Sequence, residues 1–406
     1  MDEGLGAAER LARGTPLGSA LDTTDPASWV ALDAEVRTPG FRIADSLPTR
    51  HRLRSLPPGP PSPVVEPVIA LALCHPNGRV RSAALERAAG SRQLRPLLAI
   101  RCADWAGPVR DRAQALLADV PGTELIALSG LILFLRRRDR GGFAFTLLEG
   151  ALRKGPDADV RALLTSGDRE VRRFGHGLAI DRRLLTAAEL ARTAVGATDD
   201  VRLQILCAEA ALARTDGGDH EEVVVPLLSA RSAMVRSAGV TGLRRTGRHE
   251  KAVPHLADRS AMVRACARYV LRQAGIDPLP LYRSMCAEPA ARPPAAAGLG
   301  ECGGPPEADT LSALTAHPLA AVRAHAVSGL RALDAVRSER VEPLLDDPVP
   351  AVVRAAARAL RPYAAGLDEG RLRARLAPDR LPATRKAARL LLDAQLLARE
   401  RGHSGL

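Results

Sequence analysis

The sequence predicts an all-α chain in which pairs of helices repeat in single file, an arrangement known as an α-solenoid. The segment AMVRSAGVTGLRRTG, Ala233 to Gly247, is nearly repeated 28 residues later by AMVRACARYVLRQAG, Ala261 to Gly275. An arginine of this kind recurs about every 30 residues along most of the chain, a period typical of helical repeats. The marker arginines are Arg81, Arg110, Arg140, Arg172, Arg202, Arg236, Arg264, Arg292, Arg323, Arg354 and Arg385.

Each repeat has the spacing of a helix pair. In the second copy, Val263, Ala267, Val270 and Leu271 recur at i, i+4, i+7 and i+8, which places them on one stripe of an α-helix. A shorter apolar run precedes each such helix and often contains proline, as in RPLLAI with Pro96. A single pair cannot bury its own stripe, so we expect neighbouring pairs to stack.

The repeats resemble the HEAT-like family, particularly the short bacterial type first recognised in phycobilin lyases, from about Val64 to Arg401. The resemblance implies a right-handed α-solenoid of about eleven two-helix repeats. It also implies a structural ladder in which a loop acid of one unit pairs with the marker arginine of another. The ladder residues in this sequence would be Arg81, Arg110, Arg172, Arg202, Asp104, Asp168, Asp258 and Asp347. Residues such as Ser232 and His317 replace the acid elsewhere, so we expect the ladder to be incomplete.

The sequence divides into an N-terminal extension, residues 1–63, and the repeats, residues 64–406. Asp25-Pro26 is a helix-opening signal before a short predicted helix from Trp29 to Val36. The proline-rich stretch LPPGPPSP, residues 56–63, predicts an extended linker or strap. Units near residues 125–155 and 280–307 are irregular. The second of these is rich in proline and glycine and could be a shortened unit, a bend or a mobile loop.

Composition limits the classes of function. Hydrophobic residues make up 46% of the chain but aromatic residues only 2%, which does not suit a large aromatic-lined pocket. The formal net charge of +12 favours acidic partners, whether nucleic acid, anionic lipid or acidic protein. There is no secretory signal and no run that approaches the roughly 18 apolar residues of a membrane span. The six cysteines contain no CxxC pair, so we interpret them as core residues in a reducing cytoplasm.

A basic face is the main candidate binding site. Arg264, Arg268 and Arg272 recur at i, i+4 and i+8 beside the apolar stripe, and like charges at this spacing repel. The repulsion indicates acids on an adjacent helix or an acidic ligand, and the sequence leaves both open. A dense cluster, RRRDR, could grip phosphates or simply lie in solvent at the end of a helix. The candidate binding residues are Arg136, Arg137, Arg138, Arg140, Arg236, Arg244, Arg264, Arg268, Arg272, Arg323, Arg331, Arg354 and Arg358.

No catalytic motif stands out, and the scattered histidines predict no metal site and no cofactor. We therefore predict a non-catalytic, cytoplasmic scaffold whose basic, concave face holds a protein or peptide of acidic character. Nucleic-acid binding through phosphates is the alternative. A third reading is a repeat-based enzyme, such as a HEAT-like DNA glycosylase, which needs aromatic side chains and an acid at the lesion. Trp105 beside Asp104 is the closest approach to that pattern, and Trp29 lies outside the repeats.

Overall fold

The computed structural model describes residues 6–38, 46–57, 61–215, 218 and 220–403, without the side chains of 401–403. The chain forms two compact units, Met1–Leu185 and Thr186–Leu406. Every regular element among the described residues is helical and none is a strand, which confirms the predicted all-α class. Part of the predicted linker, residues 58–60, lies outside the described residues.

The first unit begins with short helices and continues as helix pairs. Its helices are α1 (Ala7–Ala12), α2 (Leu17–Ala20), α3 (Pro26–Arg37), α4 (Arg50–Arg54), α5 (Glu66–Cys74), α6 (Gly78–Ala88), α7 (Arg95–Arg101), α8 (Gly107–Ala118), α9 (Gly122–Ala127), α10 (Ser129–Leu135), α11 (Gly142–Lys154), α12 (Asp157–Leu163) and α13 (Arg169–Asp181). In this unit α5 pairs with α6, α7 with α8, and α12 with α13, while α6 packs on α8 and α8 on α11. The packing between successive second helices is that of an α-solenoid.

The N-terminal extension packs against these repeats. The predicted helix is present as α3, and the Asp25 carboxylate caps it by accepting a hydrogen bond from the N–H of Ala27. Helix α3 contacts α5, α7 and α10, and α1 contacts α5. Trp29, Leu32 and Val36 of α3 are buried. The extension therefore covers the apolar side of the first repeats.

The second unit has the same organisation. Its α-helices are α14 (Ala187–Gly196), α15 (Val201–Arg214), α16 (Val225–Leu228), α17 (Ala233–Arg245), α18 (Ala261–Gln273), α19 (Pro278–Ala287), α20 (Ala295–Cys302), α21 (Glu307–Leu314), α22 (Ala320–Ala332), α23 (Ser338–Val341), α24 (Pro350–Leu360), α25 (Glu369–Ala374) and α26 (Pro382–His403). A π-helix, His220–Val224, precedes α16, and 3₁₀ helices cover His249–Ala257, Glu342–Asp346 and Arg361–Gly366. Pro254 lies inside one 3₁₀ helix, where its missing N–H and fixed φ oppose a regular α-helix.

Two glycines end the duplicated helices. Gly247 and Gly275 have φ of 66° and 76°, a left-handed conformation that side chains with a Cβ rarely adopt. The duplicated helices α17 and α18 pack directly on each other. Their stripe residues Val263, Ala267 and Val270 are fully buried.

The irregular unit near residues 280–307 forms a helix pair with a short second helix, which settles the choice left open by its sequence. Helix α20 is buried from Ala295 to Gly300 and packs closely on α22. A Cβ on Gly300 would overlap the backbone of Gly329, and a Cβ on Gly329 would lie 2.5 Å from the carbonyl oxygen of Ala296. The glycines therefore allow two helix backbones to approach more closely than ordinary side chains permit.

None of the helices among the described residues is long and apolar enough to cross a membrane.

We expect Gly329→Ala to destabilise the protein by about 1–3 kcal/mol, because the new methyl group has no space beside α20. Gly150→Ala is a matched control, since Gly150 is also inside a helix but a Cβ there meets nothing within 4 Å. Alanine at this control site is expected to stabilise by about 0.5–1 kcal/mol through helix propensity. Urea unfolding monitored by circular dichroism measures both changes. Equal effects at the two sites would contradict close packing of α20 on α22.

Candidate functional site

The second helix of most repeats carries arginine at its fourth residue. This position follows from the helix starts: α6 begins at Gly78 and α18 at Ala261, so Arg81 and Arg264 are both fourth. The arginines at this position are Arg81, Arg110, Arg172, Arg236, Arg264, Arg323 and Arg385. One turn into the helix, such a side chain can reach back to the loop that precedes it.

Three loop acids lie three residues before a second helix and have two functions. The carboxylates of Asp104, Asp258 and Asp347 each accept a hydrogen bond from the N–H two residues later, at 2.7–2.9 Å. This fixes the turn before the helix. Each carboxylate also accepts two hydrogen bonds from the fourth-position arginine of the preceding repeat.

The three arginine–acid pairs have the same geometry. In each, Nε and Nη2 of the arginine donate to the two carboxylate oxygens, at 2.9 and 2.7 Å for Arg81 with Asp104. The Arg236 pair and the Arg323 pair have distances of 2.8 and 2.9 Å. Nη1 of each arginine donates to two carbonyl oxygens of its own loop, such as those of His75 and Pro76 for Arg81. We call this set of contacts the ladder.

Two further residues predicted for the ladder, Arg110 and Arg172, also donate to carbonyls of the loops that precede their helices. Arg110 donates to the carbonyl of Asp104 at 3.2 Å, and Arg172 donates to the carbonyls of Ser166 and Gly167. Asp168 caps α13 by accepting hydrogen bonds from two backbone N–H groups.

Two marker arginines are displaced from the ladder position. Arg202 is the second residue of α15, and Gln204 occupies the buried fourth position instead. Arg354 is the fifth residue of α24, and the buried Val353 is fourth. Both arginines are exposed. The marker spacing was regular in the sequence, but the helix start decides which residue turns towards the next repeat.

Two further marker arginines lie outside the second helices. Arg140 and Arg292 precede α11 and α20 in the chain. Arg140 has a φ of 67°, which places it in a turn.

The extension adds charges to the first ladder pair. Asp33 of α3 forms an ion pair with Arg101, and Arg101 also donates to Asp104 at 2.9 Å. Arg37, one turn along α3, lies 3.1 Å from Asp33 and 3.5 Å from Asp104. Burial raises the pKa of the Asp33 carboxyl although the Arg101 charge opposes this rise. Asp33, Arg81, Arg101 and Asp104 are buried, so their charges pair with one another inside the protein.

In the second unit, Glu301 replaces the loop acid for α18. Nε and Nη2 of Arg264 both donate to its carboxylate, with Nε at 3.1 Å. Nη1 of Arg268 donates to the same carboxylate at 2.6 Å and to the hydroxyl of the buried Tyr282 at 3.3 Å. His325 lies near this cluster, where burial and the Arg264 charge lower the pKa of its imidazole. Two of the three spaced arginines on α18 therefore share one carboxylate inside the protein, and the cluster keeps one net positive charge.

A set of arginines remains exposed at the carboxyl ends of the second helices. Eight residues beyond the fourth position lie Arg244 on α17, Arg272 on α18, Arg331 on α22 and Arg361 after α24. All four side chains are exposed, and in the described part of the chain none of them forms an ion pair. We call these four residues the arginine row. Arg354 and Arg358 are also exposed, on α24.

The RRRDR cluster lies in the exposed connection between α10 and α11. Arg136 lies over the ring of Phe145, with 4.0 Å between its guanidinium carbon and the ring centroid. Arg137 is 3.3 Å from Glu170, and Arg138 and Arg140 are exposed. The cluster thus has contacts at one end and two solvated arginines at the other.

A glycosylase needs an accessible acid beside exposed aromatic side chains, and Asp104, Trp29 and Trp105 do not form such a group. The Asp104 side chain is fully buried and bound by arginines, so it does not face an open site. Trp29 is buried, and its indole N–H donates to the carbonyl of Thr23. Trp105 is 66% exposed, with the guanidinium of Arg81 5.5 Å from its ring centroid. In this unit the acid therefore has a structural contact, and the exposed tryptophan has no free acid beside it.

Cysteines and metal-binding side chains provide no site in the described residues. Four cysteines are buried and two are half-buried, and none is in a disulfide there. Burial raises the pKa of the Cys102 and Cys207 thiols to about 12, so neither is a reactive thiolate. No group of His, Cys, Asp and Glu within the described ranges could hold a metal ion.

No protein-family model matches this chain, and no curated protein matches it either. Among solved structures, it is similar to an engineered protein from a structural genomics consortium, with 17% identity, 96% of this chain and 99% of that chain covered, and a TM-score of 0.22. It is also similar to importin beta, with 13% identity, 87% of this chain and 59% of that chain covered, and a TM-score of 0.27. A third similar structure is the karyopherin Kap121p bound to the extreme C-terminus of the protein phosphatase Cdc14p. It has 13% identity, 96% of this chain and 49% of that chain covered, and a TM-score of 0.28. This chain therefore spans about half the length of Kap121p, and similarities this weak carry no argument about function.

We expect Asp104→Asn to destabilise the protein by about 3–5 kcal/mol, because it leaves buried guanidinium groups without a counter-charge. Asp111→Asn is the matched control, because Asp111 is exposed and its ion pair with the partly exposed Arg110 is longer, at 3.5 Å. Its expected cost is below about 1 kcal/mol. Urea unfolding midpoints measure the loss of stability in both variants, provided that the dependence of the unfolding free energy on urea concentration is unchanged. A small cost at Asp104 would show that the ladder contributes little to stability.

The ladder also predicts a dependence on pH. Burial raises the pKa of the Asp258 carboxyl, but hydrogen bonds from Arg236 and from the Ser260 N–H outweigh this and hold the pKa below its ordinary value of 3.8. The charged form therefore stabilises the fold above that value, and the contribution is lost as the pH falls through the lower, folded-state pKa. We expect Asp258→Asn to be less stable than the wild type at neutral pH, with a difference that shrinks in acid. Unfolding midpoints at neutral pH and well below 3.8 test this, and a difference independent of pH would refute it.

Proposed function

We propose that this protein is a non-catalytic scaffold that binds an acidic segment of a protein partner through the exposed side of its second helices. The observation that carries the proposal is the arginine row of the second unit. Arg244, Arg272, Arg331 and Arg361 recur at the same position in four repeats, and none is neutralised by an ion pair in the residues described. Positive charge repeated at one register of the surface attracts a ligand that carries the opposite charge.

The separation between the ladder and the arginine row supports this proposal. Arg236 and Arg323 are held by ladder acids, while Arg264 and Arg268 share Glu301. These residues were part of the basic face predicted from the sequence, and they are already paired. The positive charge that remains for a partner is therefore smaller than the sequence indicates, and it is concentrated in the row.

The spacing of the row indicates what the partner presents. Packed helices lie roughly 8–10 Å apart, which is the expected separation of Arg244 from Arg272 and of Arg331 from Arg361. A polyproline II segment rises about 3.1 Å per residue with three residues per turn, so carboxylates three residues apart lie on one side and match neighbouring arginines. A segment with acids at this interval would form charge-assisted hydrogen bonds with the forked guanidinium groups.

We also propose that the repeats are of the short bacterial phycobilin-lyase type and that the protein acts in the cytoplasm. The first proposal is supported by the period of about 30 residues. The second is supported by the cysteines, of which none is in a disulfide within the described residues. No lyase activity is inferred.

The proposal predicts that a fluorescein-labelled glutamate-rich peptide binds the full chain and that charge reversal in the row weakens this binding. Arg272→Glu with Arg331→Glu is expected to raise the Kd by at least about tenfold, because two contacts become repulsive. Arg52→Glu with Arg54→Glu is the matched control, since it reverses the same amount of charge on α4, among exposed residues of the other unit. Fluorescence anisotropy at low and physiological salt measures the Kd.

Equal weakening by both double variants would show that net charge, not the row, determines binding. A labelled random duplex DNA distinguishes the alternative function. Tight binding of duplex that weakens steeply with salt, without binding of the peptide, would favour phosphate recognition instead.

A further inference from the structure

A second feature of α17 and α18 lies beside the arginine row. Met234, Met262 and Tyr269 are 38%, 45% and 48% exposed on these two adjacent helices. We propose that the surface between them, which we call the seam, binds one large apolar side chain of the acidic partner. This inference rests on the proposed function and adds to it the chemistry of the residue that anchors the partner.

Contacts across the two helices define the two ends of the seam. At the amino end, the Ser237 hydroxyl of α17 donates to the Met234 carbonyl at 2.8 Å, and its oxygen lies 3.6 Å from the Met262 sulfur of α18. At the carboxyl end, Arg244 of α17 donates to the Tyr269 hydroxyl of α18, at 3.1 Å. Met262 and Tyr269 are seven residues apart on one helix face, which corresponds to about 10 Å along the axis.

The middle of the seam is lined by small side chains. Ala265 and Thr241 are exposed, and Ala238 is half-buried. In this proposal one leucine or phenylalanine side chain of the partner lies between the large side chains at the two ends, over the small ones.

The residue types at the seam are those of binding surfaces. Methionine is flexible and polarisable, so it adapts to apolar partners of different shape. Tyrosine and arginine are enriched among residues that dominate binding energy. Leu319 and Val349 are also exposed in this unit, but in the loops before α22 and α24, and exposed Leu390, Leu396 and Leu397 lie on the single helix α26. At the seam, the exposed side chains of Met234, Met262 and Tyr269 lie on two adjacent helices that pack on each other.

The charges around the seam identify the partner as acidic. The helices α17 and α18 together contain no aspartate or glutamate, and they contain six arginines. Asp258 pairs with Arg236, and Glu301 pairs with both Arg264 and Arg268, so two carboxylates face three of these arginines. The remaining arginines are Arg244, Arg245 and Arg272, all exposed at the carboxyl end of the seam. A partner with an apolar residue flanked by carboxylates matches both parts of this surface.

The experiment compares two labelled peptides on the full chain by fluorescence anisotropy. One is glutamate-rich with a single central leucine, and the other has serine in place of that leucine. We expect the leucine peptide to bind about tenfold more tightly, because its side chain leaves water on binding. Met262→Ala with Tyr269→Ala is expected to abolish this preference and leave the binding of the serine peptide nearly unchanged. Leu319→Ala is the control, since Leu319 is 43% exposed outside the seam.

The outcomes separate this inference from the proposed function. If both peptides bind equally and charge reversal at Arg272 and Arg331 weakens both, the anchor is refuted while the acidic scaffold stands. If the preference for leucine persists in the seam variant or is lost in the control, the anchor lies elsewhere and the inference is refuted. If neither peptide binds but duplex DNA does, both the inference and the scaffold are refuted. Circular dichroism of each variant tests whether the helices remain folded after substitution of these half-exposed side chains.

Discussion

A buried guanidinium group must satisfy its N–H donors and its charge at the same time, and the ladder does both. In Arg81 the donors of Nη1 bind two loop carbonyls, while Nε and Nη2 bind a carboxylate of the next repeat. The loop carbonyls would otherwise be orphaned at the start of the helix. The carboxylate also fixes the turn of its own loop. One side chain therefore fixes the loop of its own repeat and positions the next repeat, which explains why the contact recurs with the same geometry at Arg236 and Arg323.

Where the ladder is interrupted, the chain replaces the charge pair in different ways. Gln204 is a buried polar side chain at the fourth position, and Val353 removes the polar group from that position altogether. At α18 the loop acid is missing from the short unit near residues 280–307, and Glu301 supplies the carboxylate from within α20. A neutral residue or a displaced acid each avoids an unpaired buried charge, which is the costly alternative.

The helical class, the pairing and the repeat length could be predicted because they depend on local periodicity and spacing. The pair of Arg81 with Asp104 was also accessible, since the resemblance assigned the acid to the loop and the arginine to the helix. The sequence did not predict the exact residue at which each helix begins. Helix α24 begins at Pro350, so Val353 is its fourth residue and Arg354 its fifth; a start one residue later would have put Arg354 in the fourth position. The contact of Glu301 with Arg264 joins residues 37 apart, so no short-range pattern shows it. The role of Asp33 was equally hidden, because it depends on how the extension packs on the first repeats.

The same residue type thus serves two physical roles in this chain, and burial separates them. Ladder arginines such as Arg81 and Arg236 lie under the next repeat, where a carboxylate offsets their buried charge. Arginines eight residues later lie at the exposed end of the helix, where the carbonyl groups of the helix terminus stabilise positive charge without an acid. Mutation of the first kind affects stability, while mutation of the second kind affects only what the surface attracts. A sequence rich in arginine can therefore maintain a repeat fold and a basic surface independently, since the fourth position can lose its arginine, as at Val353, while Arg361 remains exposed in the same repeat.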